Sequence, residues 1–268
     1  MAERLTSSDP LIPLLACRPL GLFSDIDGTL APIVARPEQA RISPACRQSI
    51  EALVAGGVRV GLITGRTLDM ARSITGLNSV SYATNHGLEF CVDGRLQTPV
   101  ELQRFADGTA RVLAETRSLA FKGLVTENKG PALAFHFRQA ADEAIARSAI
   151  LRAIQHSPSA ADFIVTEGRK VIELRPPVDA DKGSAFAVLA ARMRVGSAIC
   201  LGDDTTDIDM FRAAARWRTS GTLVASVAVR SEEETPDLLA AADYWVDGVE
   251  GVEWLLGSLL TAILSRSS

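Results

Sequence analysis

The chain has 268 residues, 47% hydrophobic and 22% charged, with 28 basic against 32 acidic residues and a formal net charge of −4. That size and composition supply one or two domains with a real core and exclude wholesale disorder. The acidic balance excludes a basic chain that coats nucleic acid.

No apolar run reaches the roughly 18 to 20 residues that span a bilayer. The apolar patch at 11–16 is broken by Pro13 and lacks the basic start and long apolar stretch of a secretion signal. No membrane association, no nucleic-acid partner and a cytoplasmic location are therefore expected, with residues 1–19 as a loose tail. Cys17, Cys46, Cys91 and Cys200 are scattered without a C-x-x-C pair, so neither a disulfide framework nor a thiolate metal site is expected.

Residues 20–25 form a short apolar run that ends in Asp. A helical pattern at 44–55 is stopped by Gly56-Gly57, and 58–64 is again near-continuously apolar, as in a strand covered on both faces. A helix at 67–74 and a strand at 80–84, ending at Asn85-His86-Gly87, complete this alternation. The middle differs. An amphipathic helix at 101–119 precedes two strands, 123–127 and 132–138, joined by the turn residues Asn128-Lys129-Gly130-Pro131. A helix at 142–156 and an alternating strand at 170–175 follow. After Pro176-Pro177 the first style returns, with helices at 182–194, 207–215 and 251–264 and strands at 197–201, 222–229 and 244–246. The expected fold is α/β, a doubly wound Rossmann-like parallel sheet formed by 1–98 and 179–268, with an inserted α+β domain at 99–178.

Ligands of a doubly wound sheet bind at the carboxyl ends of its strands. Those ends carry Asp25-Ile26-Asp27-Gly28-Thr29, Thr64-Gly65-Arg66 and Gly202-Asp203-Asp204-Thr205-Thr206-Asp207. Asp25 and Asp27 share one face of extended backbone, and Gly28 allows a sharp turn after them. Asp203, Asp204 and Asp207 add carboxylates at a helix start. Such a nest repels itself unless a hard divalent cation neutralises it, and Mg²⁺ suits oxygen donors. Thr64 and Lys182 offer a hydroxyl and a cation to a neighbouring phosphate.

The ordered set DxDGT, a strand ending in Thr, Lys and GDDxxD resembles the haloacid-dehalogenase superfamily. The resemblance implies Asp25 as nucleophile, Asp27 as general acid and base, and Lys182 as the cation that stabilises the transferring phosphoryl group. It further implies Mg²⁺ held by the Asp25 carboxylate, the Asp27 backbone carbonyl and Asp203, supported by Asp207 or Asp204. Asp181 is expected to cap the helix that Lys182 begins.

In the inserted domain, Glu173 and Arg175 lie on one strand face, opposite Ile172 and Leu174, and Glu127 and Lys129 lie two residues apart by the hairpin turn. Alternation alone leaves two readings open, a face for a polyhydroxylated ligand or a solvated face with surface ion pairs. The strings at 64–66, 85–87, 127–130, 170–176, 181–183 and 202–211 together resemble the trehalose-6-phosphate phosphatase family from about residue 20 to 256. The resemblance implies that the inserted domain is a cap whose Glu127, Lys129 and Glu173 contact the sugar of trehalose 6-phosphate. It places Thr64 and Gly65 at the phosphate, and Arg66, Asn85, His86 and Gly87 near the mouth of the site. It also implies a functional link to a trehalose-6-phosphate synthase. His136 and His156 are read as structural. Ile208 stands where that family usually has an acidic residue, and is expected to pack into the core. Sucrose phosphate or mannosylglycerate phosphate as substrate, a sugar phosphomutase, and a non-catalytic sugar-phosphate sensor are the competing readings.

Overall fold

Apolar runs with side chains that alternate between faces need cover on both sides, and the central strands of the computed structural model have it. The structure describes residues 2–168, 170–231 and 236–267. Contacts divide the chain into two units, Met1–Gln97 with Ala180–Ser268, and Thr98–Asp179.

The strands of the first unit are β1 (Glu3–Arg4), β2 (Leu20–Ser24), β3 (Arg59–Ile63), β4 (Ser81–Thr84), β5 (Glu89–Val92) and β6 (Arg95–Gln97). Those of the second are β7 (Val125–Asn128), β8 (Leu133–His136), β9 (Ile164–Gly168) and β10 (Val171–Arg175). The first unit then resumes with β11 (Ser197–Gly202), β12 (Leu223–Arg230) and β13 (Tyr244–Asp247). The helices are α1 (Ile12–Ala16), α2 (Pro44–Ala55), α3 (Leu68–Thr75), α4 (Val100–Glu115), α5 (Glu143–Gln155), α6 (Lys182–Arg192), α7 (Asp207–Thr219), α8 (Pro236–Ala241) and α9 (Gly248–Ser267).

The first unit holds a nine-stranded sheet in the order β1-β13-β12-β11-β2-β3-β4-β5-β6. It is parallel from β1 to β4 and closes with the antiparallel strands β5 and β6. Two core layers flank it, and strand alternation sorts residues between them. Leu22, Ile199 and Leu201 join Ile50 of α2, Ile74 of α3 and Leu255 of α9. Phe23, Ala198 and Cys200 join Phe186 of α6, Phe211 of α7 and Leu238 of α8. This is the expected doubly wound α/β architecture. Ile208 lies in the second layer, as expected from its helix position.

Three differences from the sequence reading have physical causes. The described part of the expected loose tail, residues 2–19, is packed against the first unit. Glu3 and Arg4 pair with Tyr244 and Trp245, and Leu11, Leu14 and Leu15 are buried in the first core layer. Pro13 does not break the apolar patch, because it lies in the first turn of α1, where proline's missing N–H costs nothing. The β5–β6 hairpin turns through Asp93 and Gly94, both at positive φ (51° and 74°), as a tight two-residue hairpin requires. Finally, α9 is one helix of a length and composition that could cross a membrane, over Gly248–Arg266. Here Val252, Leu255, Leu256, Leu259 and Ile263 form its buried stripe in the first core layer, the amphipathic pattern of a sheet-covering helix.

The second unit is an antiparallel sheet in the order β7-β8-β10-β9. Leu133, Phe135, Ile172 and Leu174 are buried on the sheet face that bears its apolar residues. Leu102, Phe105 and Val112 of α4 and Ala146, Ile150 and Ile154 of α5 are buried in the same unit. Phe105 meets Phe163 edge to face at 5.3 Å.

Candidate active site

The central strands β2 and β11 are hydrogen-bonded neighbours, so their carboxyl ends deliver Asp25 and Asp203 side by side. Asp207 enters from the first turn of α7 and Lys182 from the first position of α6. Asp181 caps α6 as expected, its Oδ1 accepting from Ser184 N at 2.7 Å while Ser184 Oγ receives the Asp181 N–H at 3.0 Å.

Oxygen atoms of Asp25, Asp203 and Asp207 all lie within 4.8 Å of one another, and all three residues are buried. Lys182 Nζ sits 3.1 Å from Asp25 Oδ2 and donates to Asp207 Oδ1 at 2.8 Å. Asp207 Oδ2 accepts from the backbone N–H groups of Asp203 and Asp204 at 3.0 and 3.1 Å. Asp207 is thus bound on both oxygens, the arrangement of a group that orders the nest. Asp203 Oδ1 accepts from Thr29 Oγ1 at 2.8 Å. Thr29 was not singled out in the sequence, although it closes the Asp25–Thr29 string.

Burial raises the Asp25 carboxyl well above the ordinary aspartate range, against the pull of Lys182, with Asp207 and Asp203 adding to the rise. Burial likewise pushes Asp203 up to about 7, with Asp207 and Asp204 adding to it against the Thr29 bond and Lys182. Asp207 is also raised, chiefly by burial and against Lys182. Burial opposes the charge on Lys182, but Asp25, Asp207 and Asp204 outweigh it and hold the ammonium above its usual range. Three carboxylates around one ammonium leave an excess of buried negative charge. The donors are all hard oxygens, so the residues fit a hard divalent cation such as Mg²⁺.

Asp204 is not among the converging residues. Its side chain is 54% exposed, its Oδ1 caps Thr206 N and Oγ1 at 2.8 and 2.6 Å, and it lies 4.0 Å from Lys182 Nζ. Burial works to raise it, but Lys182 and the Thr206 bonds prevail and lower its carboxyl. Of the two supporting acids expected from the sequence, the geometry brings in Asp207 and leaves Asp204 at the rim.

Gly28 is held at φ +83°, and a Cβ there would come within 2.0 Å of Asp203 Oδ2. The turn after Asp27 therefore needs glycine both for its backbone and for the close approach of β11's carboxylate. Asp27 itself meets Arg66 in a bidentate pair, Nε to Oδ2 at 2.9 Å and Nη2 to Oδ1 at 2.7 Å. The Thr64-Gly65-Arg66 segment is tied to the Asn85-His86-Gly87 turn. His86 N donates to Thr64 O, and Asn85 N to Arg66 O, each at 3.0 Å. Asn85, His86 and Gly87 all have positive φ, and a Cβ on Gly65 would lie 2.3 Å from His86 Nε2. Asn85 and His86 are non-glycine residues in the left-handed region, which is costly, and they persist there because these contacts over-determine them. Thr64 is buried and its Oγ1 accepts from Arg66 N at 3.1 Å.

In the second unit, Glu127 and Glu173 flank Ala134 in register across β7, β8 and β10. Lys129 Nζ donates to Glu173 Oε1 at 2.7 Å. His136, read as structural in the sequence, has its Nε2 2.9 Å from Glu127 Oε2. The signal for it was its period-two spacing from Ala134, which puts it on the glutamates' face. His156 hydrogen-bonds Arg152 O at the end of α5 and takes no part in this cluster.

A model of the trehalose-phosphatase family matches residues 23–243. An uncharacterized glycosyl hydrolase of Mycobacterium tuberculosis is 35% identical over 212 residues, 75% of this chain and 16% of that protein. Trehalose-phosphate phosphatase of the same organism is 34% identical over 211 residues, 74% of this chain and 52% of that protein. The chain thus spans about half the length, or less, of these two relatives. A solved trehalose-6-phosphate phosphatase related protein superposes with a TM-score of 0.72 at 24% identity, over 92% of this chain and 99% of that one, a likeness of fold.

Proposed function

The chain belongs to the trehalose-phosphatase family, and from that premise we propose that it hydrolyses trehalose 6-phosphate to trehalose and inorganic phosphate. The observation that carries the reading is the convergence of Asp25, Asp203, Asp207 and Lys182 at the ends of two adjacent strands, with Asp27 two residues beyond Asp25. A sensor of sugar phosphates needs no such pair of aspartates. The Asp25 carboxylate, the Asp27 carbonyl and Asp203 would hold Mg²⁺, which when bound offsets negative charge on the transferring phosphoryl group.

Asp25 attacks phosphorus, forming a carboxyl-phosphate bond as the bond to the sugar oxygen breaks. Asp27 gives its proton to that oxygen, so trehalose leaves as a neutral alcohol. Asp27 then takes a proton from water, whose oxygen attacks phosphorus and releases inorganic phosphate with Asp25 restored. Arg66, bonded to both Asp27 oxygens here, has to release one of them so that Asp27 can carry the proton it gives to the sugar oxygen. Lys182 keeps the ionised form of Asp25 accessible despite burial, and Thr64 and Gly65 receive phosphate oxygens. The second unit reads the sugar through Glu127, Lys129 and Glu173, because hydroxyls can both donate to carboxylates and accept from an ammonium. Arg66, Asn85, His86 and Gly87 complete the contacts at the site's mouth. A synthase that makes the sugar phosphate is the natural source of substrate.

A phosphate-release panel with Mg²⁺ tests the proposal, comparing trehalose 6-phosphate with sucrose phosphate, mannosylglycerate phosphate and glucose 6-phosphate. Preference for trehalose 6-phosphate is expected. Equal rates on all four contradict the specificity. Conversion of the sugar phosphate to an isomer without free phosphate assigns a mutase instead.

A further inference from the structure

Across the second unit's sheet, Ala134 sits between Glu127 on one side and Glu173 on the other. Its methyl group makes a low floor, and the two carboxylates rise from the neighbouring strands. Each has a nitrogen partner that reaches it diagonally. Lys129 crosses to Glu173 at 2.7 Å, and His136, two residues along β8 from Ala134, reaches Glu127 at 2.9 Å. An ionised carboxylate only accepts, so His136 presents its Nε2 as the N–H donor. Fixing one oxygen of a carboxylate fixes the plane of the whole group, and so the directions in which it accepts. We infer that His136 is a positioning residue for sugar recognition: it orients Glu127 as Lys129 orients Glu173. The inference rests on the reading that this face binds the sugar.

Folding gives little reason for the pair. The His136 side chain is 39% exposed and that of Glu127 25%, while the neighbours Leu133 and Phe135 pack on the opposite face. A pair so open to water adds little to stability. Its value is instead preorganisation, since a binding group held in place before the ligand arrives loses less freedom on binding.

The test is a double-mutant cycle read as the ratio of kcat/KM on trehalose 6-phosphate to that on p-nitrophenyl phosphate. His136→Phe keeps an aromatic ring and removes the donor, and should lower the ratio about tenfold through KM, within the range for residues in direct contact. His136→Gln restores a donor near the Nε2 position and should recover most of the loss. In a Glu127→Ala background, His136→Phe should change nothing further. A melting temperature within about 3 °C of wild type is expected throughout, in keeping with a pair so open to water. The inference is overturned if His136→Phe lowers both substrates equally, or costs as much without Glu127 as with it. If Glu127→Ala itself leaves the ratio unchanged, the sugar-facing reading falls and takes this inference with it. A loss for Glu127→Ala with none for His136→Phe overturns this inference alone.

Discussion

Lys182 and Lys129 make the same kind of contact in two different settings. Lys182 stands 2.8 and 3.1 Å from two carboxylates, with only 3% of its side chain exposed. Lys129 stands 2.7 Å from one carboxylate at 13% exposure, and that partner, Glu173, is 22% exposed. In the first unit the acids outnumber the cation and burial drives their carboxyls upward, so the charges are held at a cost that marks a candidate functional site. In the second unit each acid has its own partner near water, and the arrangement costs little. On the proposed function, the difference separates a site that acts on the phosphate ester from a face that chooses among sugars. Both lysines belong to a set of four, Lys122, Lys129, Lys170 and Lys182, beside 24 arginines. A compact ammonium fits between carboxylates where a planar guanidinium would not.

Replacing Asp25, the proposed nucleophile, should give the largest effect. Asp25→Asn should lower phosphate release at least on the order of a thousand-fold on every ester. Because it relieves repulsion in the nest, it should not lower the melting temperature of the metal-free protein. Loss of activity together with a large drop in melting temperature would mean that Asp25 serves folding.

Next in size is the contrast between the lysines. Lys182→Ala leaves three buried carboxylates without a cation and should destabilise the metal-free protein by about 3 kcal/mol at neutral pH. Lys129→Ala should cost under about 1 kcal/mol. Both are read from denaturant unfolding, and equal costs would break the comparison.

A half-buried cluster in the first unit tests whether burial, and not the unit, sets the cost. Asp243 accepts from Arg218 Nη1 and Nη2 at 3.0 and 2.5 Å and from Ser226 N and Oγ at 2.9 Å each. Burial works to raise its carboxyl, but these bonds prevail and lower it. A lowered folded value means that its stabilisation is present above the ordinary aspartate pKa of about 3.9 and is lost as pH falls through the folded value. Asp243→Asn should therefore cost about 1 kcal/mol at pH 7. Its unfolding free energy should converge on that of wild type in acid, and a constant gap across pH would contradict the assignment.

Much of this arrangement is legible in the residues. The apolar runs before Asp25, Thr64 and Asp203 mark covered strands, and chain order alone brings their ends to one edge of a doubly wound sheet. What was not legible has local causes. β9 is mostly exposed, so Ile164–Gly168 lacks the alternation of a half-buried strand. The β5–β6 hairpin is short, and its Asp93-Gly94 signal lies just past the Asn85-His86-Gly87 turn. Asp204 and Asp207 read as interchangeable supporting acids in sequence. The cap on Thr206 turns Asp204 outward, while Lys182 and the backbone N–H groups of Asp203 and Asp204 hold Asp207 in. His136 gave no ligand pattern of its own, because its meaning comes from the strand beside it.

The division of labour between the two regions is tested most directly by measuring kcat/KM on trehalose 6-phosphate and on p-nitrophenyl phosphate for wild type, Asp25→Asn and Glu173→Ala. The predicted result is that Asp25→Asn abolishes turnover of both esters, while Glu173→Ala lowers the ratio of the two by about tenfold or more. Equal losses on both esters in Glu173→Ala, or retained turnover in Asp25→Asn, would contradict it.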